Sequence, residues 1–317
     1  MREIIGQQCL RHLNPSAIND PSKAREHHTI RKEAISPLTV RHMPNLISVS
    51  SAPIARLGDK EYYDLIGTLE VLKRIQQRSA VDGFEFQLEP EWDSEKPPLT
   101  DAELADWTKT PKYTLEEIQA MLRRERLQIL SVHASRDIGN YLCSNRQKDQ
   151  EKGRKLLNDS LSFTESLGVK ICVFHLWDTW KERFDTASLK SVFLDVSNQF
   201  PKVKASVENI PTHLNGCTPF TLVKSFDWVT LDLRWAALYD ELDAFEPLAD
   251  RIANVHLRGK LEGPKWVLEK AKFSFYAALN KIRNEWKYSG PLTVEPEGGI
   301  KSSSFEDFIE AMKALKA

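Results

Sequence analysis

The sequence predicts an α/β protein of the (β/α)8 TIM barrel class, and three observations support this. Eight short apolar runs alternate with longer amphipathic segments, as in repeated strand–helix units. The runs are rich in Val, Ile and Phe and mostly lack polar alternation, which is typical of parallel strands covered on both faces. The 317 residues suffice for one large barrel domain. Eight such units favour a closed barrel over a doubly wound sheet.

The predicted elements follow one another from residue 46 to residue 315. The predicted strands are 46–49, 83–87, 128–132, 170–174, 204–207, 228–231, 252–255 and 292–294. The predicted helices are 62–78, 115–126, 149–167, 188–200, 219–224, 242–249, 266–286 and 305–315. Capping chemistry supports several helix ends: Thr114 with Glu117 can form a capping box, Ser304 can cap the last helix, and Gly168 can end a helix in a left-handed conformation.

Residues 1–44 are predicted to be an extension and not a domain. They are polar, are broken by four prolines and show no sustained period. We expect this segment to be flexible or draped over the barrel domain, which we place at residues 45–317.

Composition and charge exclude several classes of protein. With 41% hydrophobic and 28% charged residues the chain resembles an ordinary soluble protein, and no apolar run approaches the roughly 18 residues that span a bilayer. Residues 1–20 lack the pattern of a signal peptide, so we expect a cytoplasmic protein without a membrane partner. The 44 basic and 45 acidic residues nearly cancel, which disfavours duplex DNA as a partner. The sequence carries no signal for an oligomeric state.

Six consecutive predicted strands end in a residue that can bind a metal ion. In this fold class the C-terminal strand ends meet at one mouth of the barrel, where active sites lie. Three carboxylates gathered there would repel one another, so a divalent cation is the simplest way to balance them. Mixed imidazole and carboxylate ligands suit Zn²⁺ or Mn²⁺, as one or two ions. The predicted metal ligands are His133, His175, Glu208, Asp232, His256 and Glu295.

The strand-end order His, His, Glu, Asp, His, Glu resembles the xylose isomerase-like TIM barrel superfamily, and more narrowly the endonuclease IV type, AP endonuclease family 2. The resemblance is greatest over residues 129–178, which contain Asn-Tyr-Leu, a helix ending Ser-Leu-Gly, and Val-Phe-His, and it resumes at Val-Glu-Asn. It implies two zinc sites bridged by Glu208. The implied first site adds His133 and His175, and the implied second adds Asp232, His256 and Glu295.

Several positions depart from these families. Trp235 stands where both the endonuclease and the sugar epimerases have a histidine. The segment 261–272 lacks the Asp-x-His of the endonuclease, and Glu262 stands where the epimerases have an arginine. A third zinc site is therefore not expected, which favours a small-molecule substrate, phosphorylated or sugar-like, over duplex DNA.

Two mechanisms fit the predicted site. His133 and His175 favour hydrolysis of a phosphoester in a small sugar-phosphate or nucleotide-like substrate by a two-metal centre, and the sequence favours this interpretation. The alternative is a sugar or sugar-phosphate isomerase or epimerase with one metal at Glu208, Asp232, His256 and Glu295, in which Glu208 and Glu295 are the catalytic acid–base pair. A barrel that only binds a ligand is a third interpretation, which several acid–base groups in an open mouth disfavour.

Four further residues near the mouth are predicted to contact the substrate. Trp177 and Trp235 lie in loops after strands, where aromatic faces commonly stack on sugars or bases. Arg258 could meet an anionic group of the substrate. Glu85 could contact the substrate or orient a ligand histidine. Packing within the protein or simple surface exposure is the alternative for each of them.

Overall fold

The structure is a computed structural model and describes residues 45–51, 54–60, 64–88, 113–268, 271–296, 300 and 303–317. Its strands are β1 (Ile47–Ser50), β2 (Gly83–Gln87), β3 (Ile129–His133), β4 (Ile171–Phe174), β5 (Lys204–Glu208), β6 (Val229–Asp232), β7 (Ile252–Arg258), β8 (Lys260–Glu262), β9 (Lys265–Val267) and β10 (Leu292–Glu295). Eight of them pair in parallel and close a barrel in the order β1, β10, β7, β6, β5, β4, β3, β2, which confirms the predicted fold class. The other two, β8 and β9, form an antiparallel hairpin. The predicted extension, 1–44, lies outside the described residues.

Most of the predicted helices are confirmed to within a few residues. The capping box of Thr114 and Glu117, the cap at Ser304 and the left-handed Gly168 (φ 74°) are all present. Within the described ranges, every helix is too short or too polar to cross a membrane. The helices are α1 (Leu65–Gln77), α2 (Leu115–Glu125), α3 (Ile138–Leu142), α4 (Gln147–Ser166), α5 (Thr186–Ser197), α6 (Pro219–Val223), α7 (Leu233–Tyr239), α8 (Phe275–Asn280) and α9 (Phe305–Lys316).

Two predicted helices differ from the structure. The stretch 242–249 belongs to a 3-10 helix, Leu242–Arg251, whose Pro247 lacks the amide hydrogen that an α-helix would use. The prediction for 266–286 is wrong in its first part, because Trp266 lies in β9 and the helix begins only at Phe275. The short helices α3 and α7 were not predicted.

Polar side chains line the inside of the barrel. Asn254 of β7 donates to Glu85 of β2 at 2.9 Å, a bond between strands that are not neighbours and therefore one that crosses the barrel. Ser131 donates to the same carboxylate at 2.8 Å, and the hydroxyls of Ser206 and Thr230 lie 2.6 Å apart. The predicted lack of polar alternation is therefore wrong. Runs such as Ser-Val-Glu and Thr-Leu-Asp alternate, with the polar side chains inside and the apolar ones against the helices.

The loop after β4 is held close to α3 by a glycine. A Cβ at Gly139 would stand 2.5 Å from the backbone nitrogen of Trp177, so a larger residue there would push the two segments apart. This contact fixes the chain two residues beyond His175, at the mouth of the barrel.

Candidate metal centre

All six predicted ligand residues converge at the C-terminal mouth of the barrel. Five are buried, and the side chain of His175 is 21% exposed. Parallel register places Asp232 of β6 directly opposite His256 of β7. Within the described chain, three overlapping groups have donor atoms within 4.8 Å of one another. These groups are His133–His175–Glu208, His133–His256–Glu295 and Glu208–Asp232–His256.

The six residues surround the mouth of the barrel as a ring of candidate ligands. One side of this ring, which we call the imidazole side, consists of His133, His175 and the Oε2 atom of Glu208. Nδ1 of His133 lies 2.9 Å from the carbonyl oxygen of Ala134, so in the neutral ring Nδ1 carries the proton and Nε2 has the lone pair. The Nε2 atoms of His133 and His175 lie 3.3 and 3.2 Å from the same Oε2 of Glu208. Two imidazole nitrogens and one carboxylate oxygen thus face a common point, as zinc ligands do.

His256 joins the two sides of the ring. Its Nδ1 lies 3.2 Å from Glu208 Oε2 and 3.3 Å from Glu295 Oε1. Its Nε2 lies 3.3 Å from the buried carboxylate of Glu85. A carboxylate behind the outer nitrogen of a histidine fixes the tautomer and leaves the inner nitrogen free to bind a metal. The sequence allowed two roles for Glu85, contact with the substrate or orientation of a ligand histidine. Its position beside His256 fits the second.

The opposite side, the guanidinium side, consists of Asp232, Glu295 and Arg258. Nε of Arg258 lies 2.8 Å from Asp232 Oδ2, and a terminal nitrogen of Arg258 bonds Glu295 Oε2. The same terminal nitrogen is 3.7 Å from Glu208 Oε1. Arg258 was predicted to meet an anionic substrate group. In the structure it pairs with the carboxylates of the ring.

Asp232 is fixed by the segments on both sides of it. Its Oδ1 accepts from the backbone N–H of Trp235 at 3.0 Å and caps α7. The side-chain oxygen of Asn209 accepts from the backbone N–H of Asp232 at 2.6 Å, and its amide nitrogen donates to the Asp232 carbonyl at 3.2 Å. Asn209 was not among the predicted site residues, although its place in Val-Glu-Asn directly after Glu208 was the signal for it.

The carboxylates raise the pKa values of two histidines. Burial lowers the pKa of His133, but its bond to Glu208 and the charge of Glu85 outweigh burial and raise the pKa to about 9. Burial also lowers the pKa of His256, yet Glu295, Glu85 and Glu208 raise that pKa well above its usual value. Without a metal ion, protons on these imidazoles therefore offset part of the negative charge.

The pKa values of two carboxylates in the ring shift in opposite directions. Burial raises the pKa of Asp232 to about 7, although Arg258 lies beside it. Burial also raises the pKa of Glu208, but the charges of His175 and His256 outweigh it and hold the pKa well below its ordinary value. The ring therefore holds more negative charge than Arg258 balances.

The donor set fits a divalent cation. Glu208 Oε1 and His256 Nδ1 are buried, and neither makes a hydrogen bond to any of the described residues, although charged groups surround both. Unpartnered buried polar atoms are costly, and a bound cation would satisfy them. It would also replace the protons that the histidines hold.

The tryptophans near the mouth lie in different settings. Trp177 is 2% exposed, and its Nε1 donates to the carbonyl oxygen of Pro211 at 2.9 Å, which places this predicted substrate contact in the core. Trp235 is half-buried and lies over the guanidinium of Arg258, 5.2 Å from its ring centre. Trp180 is 64% exposed, and its ring stacks on the imidazole of His213 with centroids 5.4 Å apart.

No family model and no curated protein sequence matches the chain, but solved structures do. A sugar phosphate isomerase/epimerase from Parabacteroides distasonis is 15% identical, with 88% of this chain and 98% of that chain covered and a TM-score of 0.59. An AP endonuclease, family 2, from Brucella melitensis is 14% identical (81% and 97% covered, TM-score 0.51). The IOLI protein with a bound zinc atom is 14% identical (85% and 96% covered, TM-score 0.54).

The chain has the fold of the xylose isomerase-like TIM barrels. This confirms the fold that the resemblance implied, and a shared fold by itself does not fix an activity. Most of the matched xylose isomerase-like barrels are sugar epimerases or isomerases, and one of them, a D-allulose 3-epimerase from Methylomonas sp., was crystallised with D-allulose.

Proposed function

We propose that the protein is a metal-dependent isomerase or epimerase of a sugar or sugar phosphate. The main support is the placement of Glu208 and Glu295, whose carboxylate oxygens lie 3.2 and 3.3 Å from the same Nδ1 of His256. Two carboxylates this close together can exchange protons with one substrate. The matched structures support the same chemistry, since most of them are sugar epimerases or isomerases.

A divalent ion, Zn²⁺ or Mn²⁺, would be held by residues of the ring. When bound, it would polarise the carbonyl and hydroxyl oxygens of the substrate. The zinc atom in the matched IOLI structure agrees with this choice of metal. The residues available to hold it are His133, His175, Glu208, Asp232, His256 and Glu295.

The carboxylates of the chain would move the proton. One of Glu208 and Glu295 takes the proton from the carbon beside the substrate carbonyl, and the other, in its acid form, returns a proton to the opposite face. Both side chains are buried, and the returned proton comes from the second carboxyl, which takes up a solvent proton between turnovers. Arg258 holds the Glu295 carboxylate in place through its terminal nitrogen.

Hydrolysis of a phosphoester is the second candidate. His133 and His175 beside Glu208 favour it, because they extend the set of ligand residues beyond what one ion uses. The chemistry would need a second ion, however, and on the other side of the ring Arg258 already pairs with the carboxylates. This pairing and the matched structures reverse the preference for hydrolysis that the sequence suggested.

The two candidates can be separated by NMR in D₂O. Protein loaded with Zn²⁺ or Mn²⁺ is incubated with ketoses, ketose phosphates and small phosphodiesters, and the mixture is followed by ¹H and ³¹P spectra. We expect a second sugar to appear with deuterium at one carbon, and no release of phosphate or alcohol.

Matched variants sharpen this experiment. Glu295→Gln should lower the exchange rate by about 10²- to 10⁴-fold, the usual contribution of a general acid or base. Glu310→Gln, at an exposed position of α9, should leave the rate unchanged. Cleavage of a phosphoester without deuterium uptake would overturn the proposal in favour of hydrolysis.

A further inference from the structure

We propose that Arg258 is a resident cation of this site, which takes the place of a second divalent ion and limits the centre to one metal. The inference rests on the proposed metal dependence. It goes further in assigning a role to a residue that neither the isomerase nor the hydrolase mechanism requires.

The first support is the position of the guanidinium. Its Nε is 2.8 Å from Asp232 Oδ2, and one terminal nitrogen bonds Glu295 Oε2 and lies 3.7 Å from Glu208 Oε1. These three carboxylates are the oxygen ligands that a second ion would use. The planar fork of arginine suits several carboxylates at once. The guanidinium therefore stands where a second ion would have to bind.

The second support is that the protein holds Arg258 in this position. The side chain is 5% exposed, and its guanidinium carbon lies over the Trp235 ring, 5.2 Å from the ring centroid. The strand that carries Arg258 runs directly into the β8–β9 hairpin, which Trp266 anchors by packing against Phe275 and Phe308. Movement of Arg258 into solvent would break its ion pairs and leave Asp232 and Glu295 buried without this cation, which is costly.

The third support is the difference between the two sides of the ring. On the imidazole side the donors are nitrogen lone pairs and one carboxylate oxygen, which a cation can approach directly. On the guanidinium side the charge of Arg258 is permanent, because arginine does not lose its proton in proteins. A divalent ion placed beside it would be repelled at short range. We therefore expect the chain to bind one ion, on the side of His133, His175 and Glu208.

The test counts metal ions on the full-length chain. Metal-free protein is titrated with Zn²⁺ in a calorimeter, and the ions that remain after desalting are counted by mass spectrometry. The wild type should bind one ion, and Arg258→Ala should bind two at saturating Zn²⁺. Arg234→Ala is the matched control, because Arg234 lies over the same Trp235 ring at 5.0 Å and is exposed. It should bind one.

A second pair of variants does not depend on the folding of Arg258→Ala. His175→Ala should weaken Zn²⁺ binding by at least about 100-fold, more than the loss of a residue that only supports a ligand. Asp232→Asn should change the affinity by less than about 10-fold. Circular dichroism and a melting curve show whether each variant folds.

Three results would overturn the inference. They are two ions on the wild type, one ion on folded Arg258→Ala, and a loss of affinity in Asp232→Asn as large as in His175→Ala. A wild type that binds no ion at any Zn²⁺ concentration would overturn the proposed metal dependence itself, so the two failures are distinguishable.

Discussion

The imidazole side and the guanidinium side of the ring share Glu208 but differ in the positive charge that faces it. On the imidazole side, His133 and His175 approach Glu208 Oε2 with nitrogens that can exchange a proton for a metal ion. On the guanidinium side, Arg258 lies among carboxylates with a charge it cannot give up. The carboxylates of one ring can therefore form an exchangeable cation site on one side and a fixed cation site on the other.

This difference also gives each side of the ring a different task. A side that exchanges its cation can take up a metal, whereas a side with a fixed cation can hold a carboxylate at a constant position. Glu295 belongs to the second side and Glu208 to both. The following variants test this division.

The largest effect is expected for Glu208→Gln, because Glu208 serves both sides. The change removes the charge that His133, His175 and His256 share. We expect Zn²⁺ affinity to fall by more than about 100-fold and the isomerase rate by about 10³-fold or more. Calorimetry and the D₂O exchange rate measure the two effects, with Glu310→Gln as control. Retention of full metal affinity would show that the shared carboxylate is not a ligand.

The second effect concerns only the guanidinium side. Glu295→Gln should lower the exchange rate by about 10²- to 10⁴-fold but change Zn²⁺ affinity by less than about 10-fold, because the metal lies with the histidines. Parallel measurements of rate and affinity on one preparation check this split. If rate and affinity fall together, Glu295 is a metal ligand and the division between the two sides fails.

A smaller effect is expected for Glu85→Gln, which acts through His256. The substitution keeps the size of the side chain but removes the charge behind Nε2 of His256. We expect about a 10-fold loss of Zn²⁺ affinity, at the low end of the range for residues that orient a ligand histidine. Calorimetry at constant pH measures it. An unchanged affinity would indicate that His256 does not bind the metal.

The smallest effect is a pH dependence of stability in the metal-free protein. The pKa of His133 is raised to about 9 from an ordinary value near 6.5, so its contribution to stability is complete below pH 6.5 and is lost as pH rises through 9. The pKa of Asp232 is raised to about 7, so its protonated form also stabilises the fold. That contribution is lost as the pH rises through 7. The Tm in EDTA should therefore fall between pH 6.5 and 9.

Two comparisons check the origin of this fall. Saturating Zn²⁺ should remove most of it, because the ion replaces the protons. His133→Ala should flatten the part between pH 7 and 9. A Tm in EDTA that is constant or rises across this range would contradict the proposed charge balance.

The barrel could be predicted because each strand and each long helix carries its signal locally. The apolar runs and the caps at Thr114, Ser304 and Gly168 sufficed for the fold class and for most helix ends. The hairpin β8–β9 could not be predicted in this way, because the strand conformation at Trp266 depends on the packing of its ring against Phe275 and Phe308. Tertiary contacts of this kind override local propensity.

The candidate site, like the fold, could be predicted only in part from the sequence. Strand ends of a barrel meet by necessity, so the convergence of residues such as His133 and Glu295 followed from the fold class. The position of Arg258 did not, because a long side chain can reach either the substrate or the carboxylates, and the choice between them depends on the folded structure. The structure places Arg258 among the carboxylates, whereas the roles of the six ring residues stay predictions.

Crystallographic location of the bound ion tests the division of the ring most directly. Crystals soaked with Zn²⁺ and measured at the zinc absorption edge should show one anomalous peak, within about 2.0–2.2 Å of Nε2 of His133, Nε2 of His175, Nδ1 of His256 and an oxygen of Glu208. Arg258 should still pair with Asp232 and Glu295. A peak between Asp232 and Glu295 with Arg258 displaced, or two peaks in the wild type, would contradict this account.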